Sequence, residues 1–238
     1  KIVTKYLEPI EKKQIKKISF GVLVNDYVRF GQVFRQSQII GEAHYIKEPE
    51  SATTGLNKLL DIIEAEGADI AVLSHQDMHY KADWLPQVRK QIAKLPDNWI
   101  VAGIIGKDMD GKIAGVFRDM RIPNYFDTSD VHEFPQPASC FDECCIIVNM
   151  KSGFRFSEEL EGFDLYGTLC VLQTLEMNGT AWIINAYAEH YCLRPFTWVP
   201  DETYCERYKW LWEKYNKIGR VDTTAIGFVE NNKAVAKI

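Results

Sequence analysis

Nowhere in the 238 residues does an apolar run approach the roughly 20 residues that span a bilayer, and no charged-then-apolar leader precedes the first strand-like segment. The expectation is a cytoplasmic protein with no integral membrane span, any membrane contact being peripheral. A basic excess is missing too: 28 Lys and Arg stand against 33 Asp and Glu, a net charge of −5, which excludes the usual profile of a nucleic-acid binder. An anionic substrate would therefore need locally placed cations or a metal. Cys140, Cys144 and Cys145 lack the paired C-x-x-C spacing of a structural zinc site, and a chain of this length needs no disulfides. With Cys170, Cys192 and Cys205 they read as free thiols. Internal repeats and low-complexity tracts are also absent, so one continuous domain is the simplest organisation. What is present is apolar substance, 46% hydrophobic and 12% aromatic residues, enough for a packed core.

Residues 1–17 carry six lysines and two glutamates and read as a basic N-terminal extension. The nearly continuous apolar run 18–25 has the pattern of a strand buried on both faces, and it breaks at Asn25-Asp26. A short helix over 28–38 and a strand over 39–46 follow, then a turn at Glu48-Pro49-Glu50-Ser51 that opens a helix with Leu56, Leu59, Leu60 and Ile63 on one face. Residues 69–74 form the third strand. This alternation predicts a parallel sheet with right-handed crossovers. Further on, the spacing predicts a helix over 84–95, a strand over 99–106, a hairpin turn at 108–111 leading to a strand over 112–117, and an irregular insertion over 118–138. A strand over 144–150, a helix over 165–178, a strand over 181–186 running toward His190, and an aromatic-rich helix over 204–218 complete residues 18–218; 219–238 read as a tail or hairpin.

The chemistry concentrates where the third strand ends, at Ser74-His75-Gln76-Asp77, because open α/β sheets present ligand-binding groups at the carboxyl ends of their strands. Two conformations are open. If the chain stays extended, His75, Asp77 and His79 share one side and suit a divalent cation, including zinc in a hydrolase. If it turns at Gln76, Asp77 remains in the cleft, with His75 as its companion.

The succession of Ser51-Ala52-Thr53-Thr54-Gly55-Leu56-Asn57-Lys58 and then Ser74-His75-Gln76-Asp77-Met78 resembles family 2 glycosyltransferases of the GT-A fold. One branch is more similar, with His-Gln-Asp in place of Asp-x-Asp, a following tryptophan (here Trp84), a Phe163-Asp164-Leu165-Tyr166-Gly167 segment and a late histidine (here His190). The resemblance covers residues 18 to 192. It implies a GT-A-like, Rossmann-like three-layer α/β sandwich with a mostly parallel central sheet. It also implies a metal-assisted, inverting transferase that moves a sugar from a UDP- or GDP-sugar to a glycan, lipid or protein acceptor. By position, Asp77, His75 and His190 would hold Mn²⁺ or Mg²⁺, and Asn25, Asp26, Asn57, Gln76 and Trp84 would contact the donor. Asp164, with Glu161 as its competitor, would take the acceptor proton.

Two departures matter. His75 replaces the first acid of Asp-x-Asp and suits Mn²⁺ better than Mg²⁺. The acid that the branch places soon after Tyr-Gly is absent, since the chain reads Tyr166-Gly167-Thr168-Leu169-Cys170. A nucleotide-binding module with altered catalysis is accordingly the alternative. Among the late aromatics, helical spacing assigns Tyr204, Tyr208, Trp210, Trp212 and Tyr215 mostly to core packing and leaves Trp198 as an acceptor contact.

Overall fold

The computed structural model describes residues 15, 17–39, 43–121, 126–129, 133–192, 200–224, 229–230 and 233–234. The basic extension falls almost wholly outside these residues, as do Trp198 and parts of the 118–138 insertion.

The elements in chain order are β1 (Ile18–Val24), α1 (Tyr27–Gln32), β2 (Ala43–Lys47), α2 (Ala52–Ala65), β3 (Ile70–His75), β4 (Met78–His79), α3 (Trp84–Ile92), β5 (Trp99–Gly103), β6 (Ile105–Asp108), β7 (Ile113–Asp119), β8 (Phe126–Asp127), β9 (Gln136–Phe141), β10 (Cys145–Asn149), α4 (Tyr166–Glu176), β11 (Thr180–Ile183), β12 (Ala188–His190) and α5 (Glu202–Tyr215). A short antiparallel pair, Val229–Glu230 with Lys233–Ala234, follows. The main sheet runs β2-β1-β3-β10-β5-β11-β9-β6-β7-β12-β4, with β8 beside β7.

Period-two alternation builds the layers. Along β3, Ile70 and Val72 enter one core cluster while Ala71 and Leu73 enter the other. On the first face lie α1 and α3, contributing Phe30, Trp84, Val88 and Ile92. The second face takes the Leu56, Leu59, Leu60 and Ile63 stripe of α2 together with α4 and α5. Each of those four α2 side chains is at most 3% exposed, and burying one stabilises by about 1.5–3 kcal/mol. The result is the expected three-layer α/β sandwich. Helix α2 starts where the turn signal placed it: Ser51 is extended, and its hydroxyl accepts the Thr54 N–H at 3.2 Å.

The sheet is mixed rather than mostly parallel. β1, β2 and β3 are parallel, but β10 lies antiparallel between β3 and β5, and β9 and β6 are antiparallel to their neighbours. An apolar run buried on both faces looks the same in either direction, so the Cys145–Asn149 pattern carries no polarity. Helix α1 is shorter than its spacing suggested, breaking into a 3₁₀ turn at Phe34–Gln36. Among the described residues no helix is long and apolar enough to cross a membrane.

Candidate metal and donor site

The chain turns at Gln76 and Asp77 before re-entering the sheet as β4. Alternation is thereby broken, and His79 leaves the group: its Nδ1 lies 3.5 Å from Glu189 instead. His190 takes that place. It ends β12, which pairs with β4 on one side and with β7 on the other, so that His190 is in register with Met78 and with Asp119. Ligand atoms of His75, Asp77 and His190 all lie within 4.8 Å of one another.

The electrostatics of this group follow from its neighbours. His190 is 6% exposed, with Nε2 at 3.2 Å from Asp77 Oδ1 and Nδ1 at 3.8 Å from Asp119 Oδ2. Burial alone would strip its proton, but Asp119 and Asp77 outweigh that effect and push its pKa up to about 10. Burial likewise works against charge on Asp77, yet His190, with a smaller contribution from His75, brings it down to about 2. Asp119 is held well below the ordinary carboxylate range despite burial, by His190 and by Arg121, whose Nε donates to both its oxygens at 2.9 and 3.0 Å. The 3.2 Å contact of His190 Nε2 is within ion-pair reach but not in hydrogen-bond geometry, so this buried nitrogen has no hydrogen-bond partner. An orphaned nitrogen facing a carboxylate and a second imidazole fits a divalent cation, and Asp119 sits where an outer-shell acid orients a ligating histidine.

His75 is oriented from the other side. Its Nε2 lies 2.8 Å from the Tyr166 hydroxyl, which donates to the Glu143 carbonyl at 3.3 Å.

Gln76 swings to the end of β1, where its Oε1 accepts the N–H groups of Asn25 and Asp26 at 3.1 and 2.9 Å, and its amide donates to Asn25 Oδ1. These three expected donor residues thus form one patch beside Asp77, with Asn25 and Asp26 exposed and Gln76 half-buried. Asp26 also caps α1 by accepting the Arg29 N–H at 2.9 Å. The other candidates lie elsewhere. Asn57 grips the backbone of Phe156 and the Glu158 carboxylate, all at 2.8–2.9 Å. Trp84 is 0% exposed, packed 4.5 Å from the Tyr80 ring and 5.7 Å from Phe20, so a core position replaces the expected donor contact. Asp164 accepts from Arg207 at 2.9 Å, and Glu161 is exposed in the loop before it. Leu169, at the position of the missing acid, is 0% exposed and packed in the core, and the preceding Thr168 donates its hydroxyl to the Asp222 carbonyl at 2.8 Å.

Sequence reasoning passed over Asp119 and the Glu143 carbonyl, and named Tyr166 only as part of a motif. Asp119 carried the same signal as Asp77, an acid where a strand ends, but the β7–β12 pairing that brings it to His190 leaves no local trace.

No family model and no curated protein matches the chain. Among solved structures it is similar to GalNAc-T7 crystallised with UDP, GalNAc and Mn²⁺, at 9% identity and a TM-score of 0.57, over 84% of this chain and 48% of that one. It is also similar to residues 1–349 of TarS from S. aureus in complex with UDP-GlcNAc, at 12% identity and a TM-score of 0.51, over 88% of this chain and 68% of that one. The chain has the GT-A fold. It spans about half the length of the GalNAc-T7 structure.

Proposed function

We propose that the chain is a metal-assisted glycosyltransferase that takes a sugar from a nucleotide diphosphate donor, in the His-Gln-Asp branch that its motifs resemble. The observation that carries this reading is the convergence of His75, Asp77 and the orphaned Nε2 of His190 within 4.8 Å at the carboxyl end of β3. Their position in a GT-A fold, similar to structures holding UDP and UDP-GlcNAc, supports it. A divalent cation there, Mn²⁺ rather than Mg²⁺ given two imidazoles, offsets the charge of the departing diphosphate.

The chain's own groups supply the rest. Asn25, Asp26 and Gln76 offer amides and a carboxylate beside the metal ligands, suited to the nucleoside. Tyr166 fixes the ring of His75, and Asp119 that of His190. The sugar passes to the hydroxyl of a glycan, lipid or protein acceptor, with inversion. Titration calorimetry with UDP, with and without Mn²⁺, tests the reading: affinity that requires the metal supports it, and equal affinity without metal overturns the assigned ligands.

One observation favours the second reading, a nucleotide-binding module of the same fold. Leu169, where the branch carries its acid, is sealed in the interior, so nothing at its position reaches a substrate. Donor binding without consumption of any donor would select that reading.

A further inference from the structure

Resting on the transferase reading and its metal ligands, we infer that Gln76 is a positioning residue for the cation. Its side chain takes over from the backbone where the β1–β3 ladder stops, and so frees the main chain to turn and present Asp77. β1 and β3 run parallel and in register up to Leu23 and His75. A strand continuing past that point would offer its own carbonyls to β1, but the chain leaves the sheet at Gln76 and Asp77. The N–H groups of Asn25 and Asp26 keep an acceptor all the same, because Gln76 Oε1 stands at 3.1 and 2.9 Å from them. A side-chain carbonyl of this reach satisfies a main-chain donor in place of a ladder bond.

These bonds take up most of the Gln76 amide. Two N–H groups occupy both lone pairs of Oε1, which also fixes the amide orientation, since the reversed amide would set N–H against N–H. One hydrogen of Nε2 goes to Asn25 Oδ1, leaving the second to face a nucleoside.

The same turn is gripped along its main chain. The His75 N–H donates to the Cys144 carbonyl at 2.9 Å, and the Tyr191 N–H to the Asp77 carbonyl at 2.8 Å. Tyr191 follows the ligand His190, and its own carbonyl accepts from the guanidinium of Arg29, whose backbone N–H is held by Asp26 Oδ1 at 2.9 Å. The contacts close a ring, from Asp77 through Gln76 to Asn25 and Asp26, through Arg29 to Tyr191, and back to Asp77. Gln76 is the link in this ring that joins the metal end of the donor site to the end formed by Asn25 and Asp26, and its side chain can be changed without altering a metal ligand.

The test uses Gln76→Met and Gln76→Glu in the full chain. Methionine keeps the length of the side chain and removes its hydrogen bonds. Glutamate keeps the acceptor for both N–H groups and accepts from the Asn25 amide once that amide reverses. In metal-free ¹⁵N-labelled protein, the Asn25 and Asp26 amides should exchange with solvent faster in Gln76→Met than in wild type, and Gln76→Glu should restore the wild-type rates. Mn²⁺ affinity without nucleotide, read by electron paramagnetic resonance, should fall about 10–100-fold in Gln76→Met with the melting temperature held, and Gln76→Glu should recover it. Mn²⁺ affinity of Gln76→Met within about twofold of wild type overturns the inference and leaves the transferase reading standing; a reduced UDP affinity in that protein would return Gln76 to the donor. A loss of Mn²⁺ affinity that follows a lowered melting temperature, with exchange at Asn25 and Asp26 unchanged, overturns it in favour of a general structural role. Failure of wild type to bind Mn²⁺ overturns the inference and the transferase reading together.

Discussion

Nε2 of His190 lies 3.2 Å from Oδ1 of Asp77, joining the turn after β3 to the end of β12 across 113 positions of sequence, the difference between 190 and 77. On the proposed reading, the cation site needs both members of the pair. Asp77→Ala removes the sole carboxylate of the three-ligand group, and Mn²⁺-dependent UDP affinity should fall on the order of 10²-fold or more. Calorimetry checks this, and an unchanged affinity would remove Asp77 from the site.

Asp119→Asn addresses the support behind His190. It keeps the shape of the side chain but gives up the charge that faces Nδ1 at 3.8 Å and the ion pair with Arg121. Mn²⁺ affinity, followed by electron paramagnetic resonance, should drop about 10–100-fold, the usual cost of losing an outer-shell acid. Equal affinities would show that His190 is oriented by β-pairing alone.

How far this site could be read from sequence depends on the range over which its parts interact. The apolar alternation of Ile70, Ala71, Val72 and Leu73 is local, and it announced β3 and the acid at its end. So did the Leu56, Leu59, Leu60 and Ile63 stripe for α2. The choice between His79 and His190 was decided by the turn at Gln76, whose side chain is drawn to the β1 end by the Asn25 and Asp26 N–H groups, a tertiary contact without sequence periodicity. The direction of β10 and the meeting of β7 with β12 are long-range pairings of the same kind. Trp84 shows the converse: a motif position identified it, but packing against Phe20 and Tyr80 fixed where it lies.

The metal-free protein should have a stability that depends on pH in two opposite ways. His190 is raised from 6.5 to about 10, so its contribution is complete below 6.5 and is lost as pH climbs through 10. Asp77 is lowered from 3.8 to about 2, so its contribution is complete above 3.8 and is lost as pH falls through 2. The Asp77 shift and the part of the His190 shift that Asp77 causes report one ion pair and are counted once, while Asp119 supplies the rest of the rise at His190. Melting temperatures in chelator should therefore hold between pH 3.8 and 6.5 and decline on the alkaline side, and His190→Gln should flatten that decline. Mn²⁺ reverses the trend there, because ligation needs the neutral imidazole.

Gly167→Ala tests the seat of α4. A Cβ at this position would sit 2.4 Å from the Phe141 carbonyl oxygen, a backbone atom that cannot swing away. Relieving the clash moves the helix start, and with it Tyr166 and its hold on His75. Overpacking of this kind costs about 1–3 kcal/mol, a melting-temperature drop of roughly 2–12 °C in a chain of this size. Calorimetric melting without metal checks it, and an unshifted melt would mean that α4 tolerates displacement.

Asn57→Ala separates two roles for a residue first expected at the donor. Its Nδ2 donates to the Phe156 carbonyl and to Glu158 Oε1, both at 2.9 Å, and its Oδ1 accepts the Phe156 N–H at 2.8 Å. Phe156 is 3% exposed, so truncation strands a buried N–H and a buried carbonyl, each costing about 1–3 kcal/mol. The variant should lose about 2–4 kcal/mol of stability, measured by urea unfolding, while its Mn²⁺-dependent UDP affinity stays within about twofold of wild type. Asn57→Asp keeps the acceptor for the Phe156 N–H but sets a carboxylate against Glu158, and should be destabilised as well. An affinity that collapses in Asn57→Ala while unfolding is unaffected would return Asn57 to the donor pocket and leave the Phe156 bracket without energetic weight.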